Sequence, residues 1–175
     1  GGGRVALYYG DMSGFAPANI QSHGGKGAGN AGGAGSVYLK PSGGIGTLRI
    51  DTHITAADGT PRALTPLGLP GDTAFQAERL VIAGRYSVAV PEHEGLKIQA
   101  DEIHLQDSGI LSHRAATTDR HFSLLLDVQA LFIDAGAGID ATGKGYRVGR
   151  TDGNTTAGGA TGTSGGSYGG LGFGT

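Results

Sequence analysis

Leu96-Lys97-Ile98-Gln99-Ala100-Asp101-Glu102-Ile103-His104-Leu105-Gln106-Asp107-Ser108-Gly109-Ile110-Leu111 is the stretch that decides the fold. It contains two short alternating apolar runs, Leu96/Ile98/Ala100 and Ile103/Leu105, followed by a turn and Leu111. Residues two apart on a strand share a face, so each run reads as a strand with one buried side. The second run recurs. Leu80/Ile82/Val88, Ile103/Leu105/Leu111 and Leu131/Ile133/Ile139 repeat one triplet at offsets of 23 and 28 residues. The first run recurs as well, as Leu124/Leu126/Val128 at the offset of 28. A period of this length with matched flanks is that of a chain coiling on itself, each turn burying its apolar side against the next. The spacing predicts an all-β fold, a parallel β-helix built as a single-stranded solenoid with glycine-rich loops. Leu80, Ile103 and Leu131 should stack in one interior column, and Ile82, Leu105 and Ile133 in the next. Arg49, Lys97 and His104 should face outward.

The same pattern extends toward the N-terminus. Val37/Leu39/Ile45 keeps the triplet spacing, Leu48/Ile50/Ile54 is a contracted copy, and Val5/Leu7 followed by Ile20 reads as a coil with an insertion. The longer downstream offset is accounted for by a polar insertion loop at residues 113–121. Glycine supplies 36 of 175 residues, yet residues 75–133 hold only Gly84, Gly95 and Gly109. Such segregation marks corners and loops rather than low complexity. Asp58-Gly59, Ser108-Gly109 and Asp152-Gly153 are turn signals. The reading is one solenoid unit over 1–175, with a glycine-rich loop at 24–36 and a glycine-rich C-terminal segment at 143–175.

The formal net charge of −2 argues against a nucleic-acid groove, which needs a basic excess. No apolar run reaches the length of a membrane-spanning helix, so no membrane insertion is expected. The absence of cysteine excludes disulfide stapling and thiolate metal sites, and is compatible with export. A chain that opens Gly1-Gly2-Gly3 reads as a piece of a larger product.

Gly3-Arg4-Val5-Ala6-Leu7-Tyr8-Tyr9 with Asp11-Met12-Ser13-Gly14-Phe15, Gly32-Gly33-Ala34-Gly35-Ser36-Val37-Tyr38-Leu39-Lys40, and Gly165-Gly166-Ser167-Tyr168-Gly169-Gly170-Leu171-Gly172 stand in this order along the chain. Together they resemble the glycine-rich parallel β-helix modules of large bacterial exported and cell-surface proteins. The resemblance implies a right-handed helix, an extracellular or cell-surface location, and a role in surface structure or adhesion. It brings no catalytic residues and no cofactor.

Several polar positions bear on chemistry. The loop at 113–121 offers His113, Arg114, Asp119, Arg120 and His121, the residue types of a polysaccharide lyase. Their spacing sets no mutual geometry, and a solvated loop is the simpler reading. A glycosidase needs two carboxyls across a groove. Asp51, Asp101, Glu102, Asp107, Asp127, Asp134 and Asp140 are available, but carboxylates at strand ends more often accept local backbone hydrogen bonds. Thr151-Asp152-Gly153-Asn154 has oxygen donors suited to calcium, yet matches a turn better. His93 between Glu92 and Glu94 cannot converge with both neighbours on one ion and reads as a charged corner. Tyr8, Tyr38 and Tyr86 are carbohydrate-contact candidates, with packing over glycine as the competing reading. An ice-binding face would need Thr-x-Thr rows, whereas Thr117, Thr118, Thr155 and Thr156 cluster in loops.

These observations favour a structural or adhesive module over a polysaccharide-binding or polysaccharide-degrading domain, with no catalytic or metal-ligating set assigned. Ordering a glycine-rich tail costs much backbone entropy. Tyr168, Leu171 and Phe173 are therefore expected to anchor self-association into an extended assembly, which could also carry a polysaccharide or cell-surface ligand.

Overall fold

Alternation breaks once in each long strand, and the break makes a corner of the coil. In β7 (Lys97–Leu105), Ile98 and Ala100 are buried, Asp101 and Glu102 are not, and Ile103 and Leu105 are buried again. Two consecutive outward residues let both apolar runs face one interior. The structure is a computed structural model and describes residues 1–25, 31–55, 63–157 and 166. In it β5 (Ala74–Ala83) and β9 (Leu125–Ile133) run in register with β7, pairing Ala77 with Ala100 and Val128, and Arg79 with Glu102 and Ala130.

The other strands are β1 (Arg4–Tyr9), β2 (Ser36–Pro41), β3 (Thr47–Asp51), β4 (Thr65–Leu67), β6 (Val88–Pro91), β8 (Ile110–Ser112) and β10 (Gly138–Asp140). One sheet has the order β1-β2-β3-β5-β7-β9, and the facing sheet has the order β10-β8-β6-β4. From β3 onward the chain alternates between the sheets, and each strand lies parallel to the one a coil earlier. The result is a parallel β-solenoid of about four turns.

The predicted columns form. Leu48, Leu80, Ile103 and Leu131 are successive partners, as are Ile50, Ile82, Leu105 and Ile133. Leu80, Ile82, Ile98, Ile103, Leu105 and Leu111 are fully buried. Leu131 and Ile133 hold their places in the columns but are 43% and 48% exposed. The cause is position: β9 is the last strand of its sheet, and no further coil among the described residues covers it.

Two expectations require correction. Val88 is not the third member of its triplet. It pairs with Ile110, while fully buried Ala89 pairs with Leu111, which in turn pairs with Ile139. The turn after β5 is one residue longer than its counterparts, and Gly84 and Tyr86 take it through positive φ of 84° and 67°. The second correction is at the N-terminus. β1 and β2 are parallel, with Val5 opposite Val37 and Leu7 opposite Leu39, but β2 is antiparallel to β3. Residues 36–51 are therefore a hairpin rather than a coil, and Ile45 in its connection is exposed. Val37 lies opposite Arg49, and Tyr38 opposite Leu48. Directly opposed residues share a face, so Val37 and Leu39 lie on the side away from the solenoid column.

Glycine has a specific task beside β1. Gly2 N–H donates to Gly33 O (2.9 Å), Gly35 N–H to Ser22 O (2.7 Å), and Ser36 N–H to Gly3 O (3.1 Å). A Cβ on Gly35 would overlap the Gly3 carbonyl, and one on Gly2 would overlap the Ser22 carbonyl. Three backbone segments approach too closely here for any side chain.

Candidate functional site

In-register stacking sets outward side chains one strand spacing apart, about 4.8 Å, so like positions form ladders. On the outer surface of the first run, Gln76, Gln99 and Asp127 are successive partners. Gln76 Nε2 donates to Gln99 Oε1 (3.2 Å), and Gln99 Nε2 donates to Asp127 Oδ2 (3.1 Å). Beside them Gln129 Nε2 donates to Asp101 Oδ1 (2.9 Å), and Lys97 Nζ lies 3.9 Å from Asp127. Gln76, Gln99, Asp101, Asp127 and Gln129 line a shallow groove of about 290 Å³. A second recess of about 510 Å³ shares Gln76 and Ala77 with it and adds Tyr38, Leu48 and Glu78.

The far lip of that recess is fixed by charge and by rings. Lys40 Nζ donates to Glu78 Oε1 (2.5 Å), and Gly46 N–H donates to Glu78 Oε2 (2.9 Å). The bond from Lys40, then that from Gly46, holds the Glu78 carboxyl below its ordinary range, and the bond to Glu78 raises the Lys40 ammonium. The Tyr8 and Tyr38 rings meet edge to face at 5.7 Å. Tyr8 is 72% exposed. Tyr38 is half-buried, with its hydroxyl lying where a side chain on residue 46 would be. Tyr38 thus packs over Gly46, and Tyr8 projects into solvent. Tyr86 sits in the turn after β5 and makes no ring contact with either.

On the surface of the second run, Arg79 Nε donates to Glu102 Oε2 (2.7 Å), and His104 Nε2 lies 2.8 Å from the same oxygen. Bonding to Arg79, and secondarily to His104, pulls the Glu102 pKa down to about 2. The His104 ring stacks on Phe132 with centroids 4.5 Å apart. Near the next corner Asp51 is buried and accepts from Arg49 Nε (2.9 Å) and His53 N–H (2.6 Å).

The remaining candidate residues disperse. In the 113–121 loop, His113 is buried with Nδ1 2.8 Å from the Arg114 carbonyl, Arg114 reaches Glu92 (3.6 Å), and His121 reaches Glu94 (3.0 Å). The His93 ring instead bridges the carbonyls of Glu94 and Asp72, each at 2.9 Å. Glu92, His93 and Glu94 therefore point to three separate partners. The loop is laced to the preceding coil, and its titratable groups do not converge. Asp140 accepts from Thr142 N–H (2.8 Å), bonding that lowers its pKa. Residues Asp152–Asn154 form a short 3-10 turn in which Asp152 Oδ1 accepts from the Tyr146 hydroxyl (3.3 Å) and Asn154 Nδ2 donates to the Thr117 and Thr118 carbonyls. No cluster of three metal-ligating side chains occurs among the described residues. Tyr168, Leu171, Phe173 and the Asp58-Gly59 turn lie outside the described residues.

Sequence reasoning missed the Gln76-Gln99-Asp127 ladder. Its signal lies in the outward positions of the same repeat, at the same offsets of 23 and 28 residues, where polar side chains add nothing to the apolar pattern. Comparison with known proteins finds no family model, no curated protein and no solved structure that matches the chain.

Proposed function

We propose that this protein is a structural or adhesive β-solenoid module of an exported bacterial surface protein, fibre or filament, and that copies associate end to end. One observation carries the reading: among the described residues, the C-terminal end of the solenoid is apolar and has no strand beyond it. Leu131, Phe132, Ile133 and Ile139 are all between 40% and 48% exposed, and among the described residues β9 and β10 each have a partner on one side only. Natural sheets rarely leave so long an apolar edge uncovered.

A second copy is the occupant that fits. The facing sheet is parallel throughout and, among the described residues, ends in β10 on one side and in β4 on the other, where residues 31–34 lie alongside, Ala63 N–H donating to Ala31 O (3.1 Å) and Thr65 Oγ1 to Ala34 O (2.8 Å). Beside β4, Leu64 and Leu69 are exposed next to a recess of about 410 Å³ lined by Leu48, Ile50, Leu67 and Phe75. An apolar end thus meets an apolar mouth, a head-to-tail contact that leaves each copy open for the next. Fully burying one large aliphatic side chain is worth about 1.5–3 kcal/mol, so completing the burial of these half-exposed ones gives roughly 1 kcal/mol each. Set against an association cost of about 4 kcal/mol or more, that sum predicts weak, concentration-driven assembly. The exported and bacterial part of the proposal rests on the glycine-rich resemblance and the absence of cysteine.

Sedimentation velocity from micromolar to millimolar protein tests the contact. The expected result is a continuing series of oligomers, suppressed by Ile133→Lys and Ile139→Lys, whose flexible stems can carry the charge to solvent without unfolding the coil. A strict monomer at the highest concentration, or a closed dimer that grows no further, overturns it.

A further inference from the structure

The outer surface of the first run carries a strip that neither the core nor the open end explains. Gln76, Gln99 and Asp127 span two strand spacings along the solenoid axis, about 10 Å, and the recess that Gln76 shares with Tyr38 lies at one end of the strip, where the Tyr8 ring meets Tyr38 edge to face. We propose that this strip, Tyr8-Tyr38-Gln76-Gln99-Asp127 with Gln129 and Asp101 beside it, binds a neutral polysaccharide chain lying along the solenoid axis.

The chemistry of the lining selects that ligand. A pyranose ring has an apolar face of C–H groups and a rim of hydroxyls that both donate and accept. Tyr8 offers an exposed aromatic surface, steadied edge-on by Tyr38, which is itself set over Gly46. Aromatic side chains with one polar tip serve such mixed surfaces well, giving large contact area at small entropic cost. Each glutamine in the ladder spends one amide N–H on its neighbour. An amide carries two N–H donors and a two-lone-pair oxygen, so every rung keeps donor and acceptor capacity toward solvent, while Asp101 and Asp127 add acceptors. The ladder also fixes the rungs before any ligand arrives, which lowers the ordering cost of binding.

Charge separates neutral from acidic chains. Two carboxylates, Asp101 and Asp127, line the groove, and the nearby cations are already engaged, Lys97 with Asp127 and Lys40 with Glu78. A uronate polymer would bring its own carboxylates against this surface, where like charges repel. The outer face of the second run differs: Arg79 and His104 are both tied to Glu102, and the recess of about 590 Å³ beside Arg79 is walled by Ile20, Val37, Leu39 and Ile45 rather than by a ladder of amides.

Titration calorimetry at protein concentrations below the onset of association keeps this test separate from end-to-end assembly. The probes are cellohexaose, maltohexaose and mannohexaose as neutral chains and oligogalacturonate as the acidic one. The expected result is binding of at least one neutral hexasaccharide, weakened at least tenfold by Tyr8→Ala and by Gln99→Ala, with no measurable oligogalacturonate binding. Tyr8 is largely exposed, so Tyr8→Ala should keep the wild-type urea midpoint, and a changed affinity then reports contact rather than folding. Failure of every neutral hexasaccharide to bind overturns the proposal. So does binding that survives both substitutions, or a preference for oligogalacturonate.

Discussion

The column Ile82-Leu105-Ile133 allows one substitution to be compared at two heights of the same stack. Leu105 is fully buried between its neighbours, whereas Ile133 at the open end is about half exposed. Leu105→Ala removes a buried side chain from a site walled on both sides by backbone ladders that cannot collapse inward. Its expected cost is therefore about 3 kcal/mol, within the range for buried Leu→Ala changes. Ile133→Ala loses only the covered half of its contacts, roughly 1 kcal/mol. With a urea m-value of about 2 kcal/mol/M for a domain of this size, the midpoints should fall by roughly 1.5 M and 0.5 M respectively, with m unchanged. Leu105→Asp should go further, because an unpaired carboxylate in that interior costs enough to unfold a protein of ordinary stability. The measurement is equilibrium urea unfolding followed by circular dichroism at low protein concentration. Equal shifts for Leu105→Ala and Ile133→Ala would refute a column that is closed in its middle and open at β9. At high concentration the two should diverge in another way. End-to-end contact would make the cost of Ile133→Ala rise with concentration, while that of Leu105→Ala should not.

Gly35→Ala should destabilise by about 3 kcal/mol or more, at the upper end for point substitutions, because its Cβ would overlap the Gly3 carbonyl. Gly3→Ala, whose Cβ meets nothing within 4 Å, should stay within ~0.5 kcal/mol in the same thermal unfolding assay. Glu102 supplies a pH dependence. Its pKa falls from 4.5 to about 2 in the folded protein, so its contribution is fully present above the unfolded value and is lost as pH falls through the folded one. Wild type should therefore be more stable than Glu102→Gln above pH 4.5, with the difference shrinking toward pH 2; a difference that grows on acidification refutes the assignment.

The interior columns were legible because the solenoid repeats one physical demand, an apolar residue under an apolar residue, every coil. Offsets of 23 and 28 residues aligned Leu80, Ile103 and Leu131 without reference to what lay between. Failure came where period-two alternation is silent. Parallel and antiparallel strands alternate alike, so Val37/Leu39 carried the same signature as Leu80/Ile82 although β2 runs the opposite way to β3. Direction was set by the connection through Gly43, at φ 71°, and not by the apolar pattern. Val88 failed for a smaller reason, because one extra residue in a turn moves every following side chain to the other face. The surface strip was half legible. Tyr8 and Tyr38 stand out as aromatics, but the nearness of Tyr38 to Gln76 depends on the hairpin, whose reversal brings β2 alongside the recess.

That reversal also makes the two ends of the molecule unlike. At the N-terminal end the column Leu48-Leu80-Ile103-Leu131 is topped by Tyr38, a ring with a polar tip, and the sheet finishes in β1, whose Tyr8 reaches solvent. At the other end the same column stops on bare aliphatic side chains. The facing sheet has no such asymmetry of direction, since β4, β6, β8 and β10 are all parallel. An added copy in the same orientation therefore brings β10 to the mouth beside β4 with like strand direction, but along the longer sheet it must set β9 against an antiparallel β1. The two sheets impose different terms on the same junction, and only a head-to-tail arrangement joins the facing sheet's two different ends in one direction. Substitutions at Ile139 on β10 should accordingly weaken assembly more than substitutions at Tyr8 on β1. Equal effects would place the junction on the longer sheet instead.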